Sequence, residues 1–352
     1  MGSETKLPPH LEEQRTRIFC GKDAPTHARS NNFSGAYRSL GEDHSFDNAS
    51  FKENFRIDIK RMDSEVMEFD MIGVDASIAN AFRRILIADV PTMAIEKVFI
   101  ANNSSIMQDE VLAHRLGLIP LRVDAKKFDY RTEDEAATEQ NTIVFRLKMK
   151  CSRLADGRLE NDAVLSEHLE WLPAGSELPE DSDSKFTHYN RDQSEFYGEP
   201  IACADDKIVI NKMRPGQEIE LEAHAVKGEG KTHAKWSPVA TAFYRLLPEV
   251  TLKQEITGEE AHALKKKCPK DVFDIEDIGG TTKATVVNAR ACTICRECIR
   301  EPGAENFVDL KRVKDHFIFT IESAGQYHPR ELFIDAIGKL RLKCQKMIQL
   351  TH

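Results

Sequence analysis

Cys292-Thr-Ile-Cys295-Arg-Glu-Cys298 is the stretch whose residue types and spacing could do chemistry. Three thiolates at successive two-residue gaps can wrap one loop around a corner of an iron–sulfur cube. A fourth thiol, Cys268, lies 24 positions before Cys292 and is followed by Pro269. Between them, Val272-Phe273-Asp274-Ile275 and Val286-Val287 read as strands. The other four of the eight cysteines, Cys20, Cys151, Cys203 and Cys344, are scattered.

This spacing is similar to the far half of a two-cluster ferredoxin, whose runs follow C-x₂-C-x₂-C-x₃-C-P with the fourth cysteine serving the other run's cluster. Here the expected fourth position is Pro302, so Cys268 would complete the set. Cys268, Cys292, Cys295 and Cys298 would then surround one [4Fe–4S] cluster, with the second cluster absent. With no second centre to pass electrons on, its role would be structural or redox-sensing. Zinc in a Cys₄ site is the next reading, although zinc ligands usually come as two separated C-x₂-C pairs. Thiols kept without metal are the third.

Other chemistry is harder to build. Ala225-Val-Lys-Gly-Glu-Gly230-Lys231-Thr232 satisfies a loose phosphate-loop pattern with Ala for the first Gly. The helix it requires is broken by Trp236-Ser-Pro238, because proline removes a donor and pushes Ser237 out of the helical region. A turn between strands is the better reading. His114, His224, His233 and His316 are not spaced as a zinc set, and neither His-Glu-x-x-His nor Gly-x-Ser-x-Gly occurs. No nucleophile, base and oxyanion site assembles, so the chain is read as having no catalytic site of its own. A net charge of −9 argues against gripping nucleic acid directly.

The elements around these residues read as α+β. The composition is 41% hydrophobic and 30% charged over 352 residues, as in ordinary globular chains. No run approaches the ~20 apolar residues of a spanning helix. The N-terminal stretch lacks the apolar core of a signal peptide, and its touch of a myristoylation pattern lacks a second anchor, so an intracellular protein is expected. Residues 1–50 read as a polar, mobile arm. Phe55–Ile59 alternates as a half-buried strand, and Val66–Ile72 returns as a second. Asp75–Pro91 is a helix with Ile78, Ala81, Phe82, Ile85 and Leu86 on one stripe, Arg83 and Arg84 beside it, and Asp75 or Ser77 as cap. Asp109–Leu116 is a short helix with Gly117 as its C-terminal cap. Residues 100–253 are β-rich, with polar excursions at Thr132–Asn141 and Gly175–Glu195. Residues 254–304 hold the cysteine run. Pro329–Leu350 is a long helix with Leu332, Phe333, Ala336, Ile337, Leu340, Cys344 and Met347 along one side. Residues 51–99 and 305–352, each with strands beside an apolar-faced helix, would form one split domain around the middle.

FDMIGVDASIANAFRRILIADVPTMAIEKVFI and QDEVLAHRLGLIPL resemble the large α-like subunits of archaeal and eukaryotic RNA polymerases. VKGEGKTHAKWSPVATAFYRLLPEV and FIFTIESAGQYHPRELFIDAIGKL match the same family in order, from about residue 50 onward. The resemblance implies a split dimerisation domain of antiparallel strands with two helices, an inserted mostly-β domain and a ferredoxin-like insertion. Residues 122–200 hold only Cys151, unlike the RNA polymerase II version with its cysteine-rich loop. Ile95-Glu96-Lys97-Val98 and Asn102–Ile106 look more like the version shared by RNA polymerases I and III, with the archaeal version as the alternative. The family's role would be a non-catalytic platform that pairs with a small α-like subunit and recruits the two largest subunits. Those polymerases transcribe ribosomal, 5S and transfer RNA genes in the nucleus, including the nucleolus, and this subunit would meet DNA only indirectly. In that setting Ile78, Phe82, Arg83, Arg84, Ile85, His114, Arg115, Phe333, Ile337 and Leu340 would face partner subunits. An independent ferredoxin-like redox protein and a nucleic-acid-binding module stay open as other classes.

Overall fold

The computed structural model describes residues 7–28, 36–41, 43, 45–132, 134–178, 188–278 and 280–351. Parts of the expected N-terminal arm and of the polar stretches at Thr132–Asn141 and Gly175–Glu195 therefore lie outside the described residues. In chain order, the elements used below begin with helix α1 (Pro9–Thr16) and strands β1 (Arg17–Cys20), β2 (Pro25–Thr26), β3 (Arg56–Met62) and β4 (Val66–Ile72). Helix α2 (Ala76–Ala88), strand β5 (Pro91–Asn103), helix α3 (Asp109–Gly117) and strands β6 (Thr142–Lys150), β7 (Glu170–Trp171), β8 (Glu218–Glu229) and β9 (Val239–Leu252) follow. Helix α4 (Gly258–Lys267), strands β10 (Phe273–Ile278), β11 (Thr281–Val286) and β12 (Val308–Ser323) and helix α5 (Pro329–Thr351) complete the set. The chain divides into one compact unit of Met1–Lys60, Glu68–Asn80 and Tyr244–Phe319, and a second of Arg61–Met67, Ala81–Phe243 and Thr320–His352. These units cut the chain differently from the expected boundaries.

In the first unit the sheet runs β2-β1-β12-β4-β3, with β9 also pairing with β12. Phe69 stacks on Phe319 at 5.3 Å, and Tyr244 meets Phe317 edge-on at 5.2 Å. Part of the expected mobile arm is ordered here. α1 leads into β1, whose Ile18 pairs with Arg312 of β12, and Leu7 and Cys20 are buried. A few apolar residues in a polar stretch suffice for a strand here, because β12 and β2 on either side supply the hydrogen bonds. β3, an edge strand, departs from expectation the other way: Ile57 and Ile59, two positions apart on one face, are both exposed. A second apolar cluster gathers Ala261 and Leu264 of α4 with Phe273 and Ala284 of the β10–β11 hairpin, in which Phe273 pairs with Val286.

In the second unit β8 is the centre of a four-stranded sheet, β7-β6-β8-β5. Leu221 is flanked by Leu147 on one side and Ile100 on the other. Ile219, Leu221, Ala223 and Ala225 turn to the core with Ile143, Phe145 and Leu147, as period-2 alternation requires. β5 pairs with β8 from Pro91 to Asn103, so the expected boundary at residue 99 falls inside one strand. Along β8, Glu222 and His224 are also buried, and they satisfy each other. His224 Nε2 lies 2.6 Å from Glu222 Oε1, while Ser176 Oγ and the Glu177 amide donate to the same carboxylate. Burial alone would raise the Glu222 pKa, but these hydrogen bonds outweigh it and hold it below the usual range. The histidine is thus part of a closed polar cluster.

α2 starts where the Asp75 carboxylate accepts the Ser77 amide at 2.8 Å. Gly117 does not act as the expected left-handed cap: it ends α3 itself and Leu118 follows in right-handed conformation. A side chain there would meet the Ile95 carbonyl at 3.2 Å, so close approach explains the glycine. Among the described residues, no helix is long and apolar enough to cross a membrane.

Candidate functional site

Two features could act: an apolar helix face and a group of thiols. The helix face is split between inside and outside. Phe82, Ile85 and Leu86 of α2 are buried, and Phe82 packs against Phe333 of α5 with ring centres 5.2 Å apart. Phe82, Ile85 and Phe333, expected to face a partner, are already covered by their own chain. Ile78 and Arg83 are half-buried and Arg84 is exposed. α5 buries Leu332, Phe333 and Ala336 in its first turns and then leaves its neighbours: Leu340 is half-buried and every residue from Arg341 to Leu350 is exposed. Ile337, Leu340, Cys344, Met347 and Ile348 follow one another at helical spacing along this free length. At 23 residues the helix is roughly 34 Å long.

His114 and Arg115, at the end of α3, are exposed. Arg115 serves its own chain, donating to the carbonyls of Ile210 at 2.9 Å and Val209 at 2.6 Å. His114 has His233 as a neighbour, ring centres 6.4 Å apart.

Cys268 joins Cys292, Cys295 and Cys298 of the later run, and the four line one small cavity of about 10 Å³ together with Val250, Val272, Phe273 and Leu310. α4 delivers Cys268 from its C-terminal end, and the β10–β11 hairpin returns the chain to Cys292. The Cys292–Cys298 loop is wound tightly. Ile294 and Arg296 both have positive φ, 56° and 66°, unusual for residues with a Cβ and most of all for a β-branched one. The Ile294 amide donates to Cys292 Sγ at 3.4 Å. Such backbone strain costs on the order of 1–3 kcal/mol per residue and persists only where the surroundings over-determine it. One determinant is Arg290, two residues upstream. Its guanidinium donates to Asp70 at 2.8 Å and Glu68 at 2.7 Å on β4, and its carbonyl accepts from Arg245 at 2.9 Å. Sequence reading missed Arg290, and nothing in its local pattern marks it.

Burial pushes the Cys292 thiol up and the Cys298 thiol up to about 12, with the neighbouring cysteines adding to both. These thiols hold their protons at neutral pH, and a metal would have to displace them. A Cys₄ donor set fits a cluster or zinc by type. The space does not fit a cube as it stands, since about 10 Å³ holds about one water-sized body. Among the described residues no three ligating side chains are close enough to share an ion. A cluster would require the Cys292–Cys298 loop to move outward. Cys20, which looked scattered, belongs to the same apolar group as Cys268, Cys292 and Cys298. Its only sequence signal was the apolar pair Ile18-Phe19 before it.

The phosphate-loop pattern is a turn. β8 ends at Glu229, the Lys231 amide donates to the Ala88 carbonyl at 3.0 Å, and only a single 3₁₀ turn, Ala234–Trp236, follows.

The family model described as the RNA polymerase Rpb3/Rpb11 dimerisation domain matches residues 68–344. The chain is 45% identical over 337 residues to the DNA-directed RNA polymerases I and III subunit rpac1 of Dictyostelium discoideum, covering 96% of this chain and 93% of that one. It is 43% identical over 349 residues to the corresponding subunit RPAC1 of Bos taurus, covering 96% of each. The DNA-directed RNA polymerase II subunit rpb3 of Dictyostelium discoideum is 33% identical over 297 residues, 82% of this chain and 91% of that one.

Proposed function

The chain belongs to the RNA polymerase Rpb3/Rpb11 dimerisation-domain family, and from that premise we propose that it is the large α-like subunit of RNA polymerases I and III. The identity to the polymerase I and III relative exceeds that to the polymerase II relative of the same organism, 45% against 33%, and this carries the choice between them. The subunit is non-catalytic, works in the nucleus and nucleolus, and contributes surface rather than chemistry. It pairs with a small α-like subunit, and the pair recruits the two largest subunits.

The observation behind the pairing is the free length of α5. Ile337 is 45% exposed and Met347 61%, on a helix whose base is anchored in the core. An apolar stripe of this kind on a lone chain is a liability unless covered. The facing stripe of the smaller subunit would bury it at about 1.5–3 kcal/mol per side chain. The exposed Arg84 and His114 remain for contacts with the partner or the large subunits. When the chain is co-expressed with the small α-like subunit, Ile337→Asp with Met347→Asp is expected to cut the co-purified partner at least tenfold. The melting temperature of the chain alone should hold, because both positions are exposed. Full recovery of the partner would place the pairing face elsewhere.

The four gathered thiols are the donor set for a [4Fe–4S] site at Cys268, Cys292, Cys295 and Cys298, formed with the Cys292–Cys298 loop moved outward; its role is structural or redox-sensing, and zinc is the smaller alternative. A bound cluster would supply four metal–thiolate cross-links to the loop. Protein purified anaerobically from its own cells is expected to carry iron and a broad visible band that bleaches with reductant. Zinc without iron would assign the smaller ion, and neither metal would leave a thiol cluster alone.

A further inference from the structure

The second unit contains a cleft of about 580 Å³, bordered by Arg122, Lys126, Glu199, Gln326, Tyr327 and Glu331. Its cations are already engaged. Lys126 Nζ lies 2.7 Å from the Asp335 carboxylate, and Arg122 donates to the Ala204 carbonyl at 3.2 Å. Its tyrosines are engaged as well: the Tyr327 hydroxyl accepts the Ala125 amide at 2.9 Å, and that of the lining Tyr197 accepts the Asp124 amide at 2.7 Å. Burial raises the pKa of both, against the amide hydrogen bond that each accepts, so they remain hydroxyls.

The acceptors are left over. Gln326 is only 7% exposed, yet its Oε1 has no hydrogen-bond partner among the described residues. The carboxylates of Glu199 and Glu331, both exposed, form no hydrogen bond or ion pair among the described residues. Gln326 is held there by a built turn. Ser323 Oγ donates to the Tyr327 carbonyl at 2.6 Å and accepts the Gly325 amide at 3.0 Å. Gly325 has φ +94°, and a side chain there would meet Ala204 at 3.1 Å. A buried amide oxygen without a partner in a native turn calls for an explanation, and a donor supplied from outside is one.

We propose that this cleft receives an arginine side chain from a partner polypeptide. The guanidinium presents five N–H donors in a planar fork and no acceptor. It can serve one neutral amide oxygen and two carboxylates together, which a lysine ammonium, with three donors at one point, does less well. The proposal goes beyond the assembly reading: it uses the first turn of α5, through Glu331, and not the exposed stripe from Ile337 to Ile348, so its test does not depend on that stripe.

The test titrates the full chain with acetyl-Gly-Arg-Gly-amide, and with the same peptide carrying citrulline, lysine or glutamate in place of arginine, followed by calorimetry. The arginine peptide is expected to bind at least about tenfold more tightly than the other three. Glu199→Gln with Glu331→Gln should weaken it about tenfold, because charge-assisted hydrogen bonds are the stronger ones. Gln326→Glu should strengthen it and Gln326→Met weaken it. The thermal midpoint of the double carboxylate variant should stay put, since both groups are exposed. No detectable binding of the arginine peptide, equal binding of the citrulline or lysine peptide, or an unchanged double variant would each overturn the assignment.

Discussion

Phe82→Asp is expected to unfold the compact body that holds the C-terminal half of α2 and α5, not merely to weaken contact with a partner. Phe82 is 9% exposed and Phe333 7%, and their rings lie 5.2 Å apart. Truncating a buried phenylalanine alone costs about 3–5 kcal/mol. An aspartate at the same place adds the cost of desolvating a carboxylate with no cation supplied, several kcal/mol more. The sum is comparable to the ~5–15 kcal/mol that separates folded from unfolded domains. A circular-dichroism melt of the variant should lose its cooperative transition, whereas Phe82→Leu should fold with a loss of about 1 kcal/mol. A normal melt for the aspartate variant, combined with lost pairing, would instead put Phe82 on the partner's side. Loss of the partner on Phe82→Asp alone therefore says nothing about pairing. The exposed Ile337 and Met347 give the cleaner experiment.

The second large effect is expected at Gly230. A β-carbon there would lie 2.1 Å from the Ile87 carbonyl oxygen, at the end of α2, which is backbone and cannot step aside. At Gly228 it would lie 2.3 Å from the Trp236 ring. That ring is held by its indole N–H donating to the Val226 carbonyl at 3.0 Å and by Lys235 stacked 4.5 Å above it. Overpacking of this kind costs about 3 kcal/mol, so Gly230→Ala should lower the urea midpoint clearly and Gly228→Ala somewhat less. Lys231→Ala supplies the contrast. Its ammonium is mostly in solvent and pairs with Glu229 at 2.5 Å, so its removal should shift stability by no more than about 0.5 kcal/mol. In a phosphate-binding loop the lysine is the residue that matters; here the glycines are. A stable Gly230→Ala variant would show that the turn has room it does not display.

What the sequence disclosed depended on whether the signal was local. The α2 helix, the alternation of β8 and the gathering of Cys268 with the Cys292–Cys298 run can be read because each rests on short-range spacing or on residue types with few uses. The side of α2 that meets its own chain could not be read. An apolar stripe looks the same whether Phe333 or another molecule covers it, and only the fold decides. For the same reason Arg290 escaped notice: its value lies in Glu68 and Asp70, more than two hundred residues earlier. β1 was missed because four residues in a polar stretch carry too little periodicity, and it becomes a strand only when β12 lies alongside. The family likeness supplied the assembly role. The burial pattern then moved the candidate partner face outward along α5.

The pairing of Arg17 with Val313 has a consequence in time. At roughly 5–20 residues per second, a ribosome needs about 15–60 s to make the chain between them. Throughout that interval β1 exists without the strand that gives it a place, and the sheet that depends on β12 cannot close. The free stripe of α5 is made later still. The exposed stripe of α5 therefore emerges only after the last strand of the sheet, when nearly all of the chain has been synthesised. Protection of the unpaired early strands during that wait falls to whatever holds nascent chains, and chaperone dependence should track the rate of elongation between residues 17 and 313.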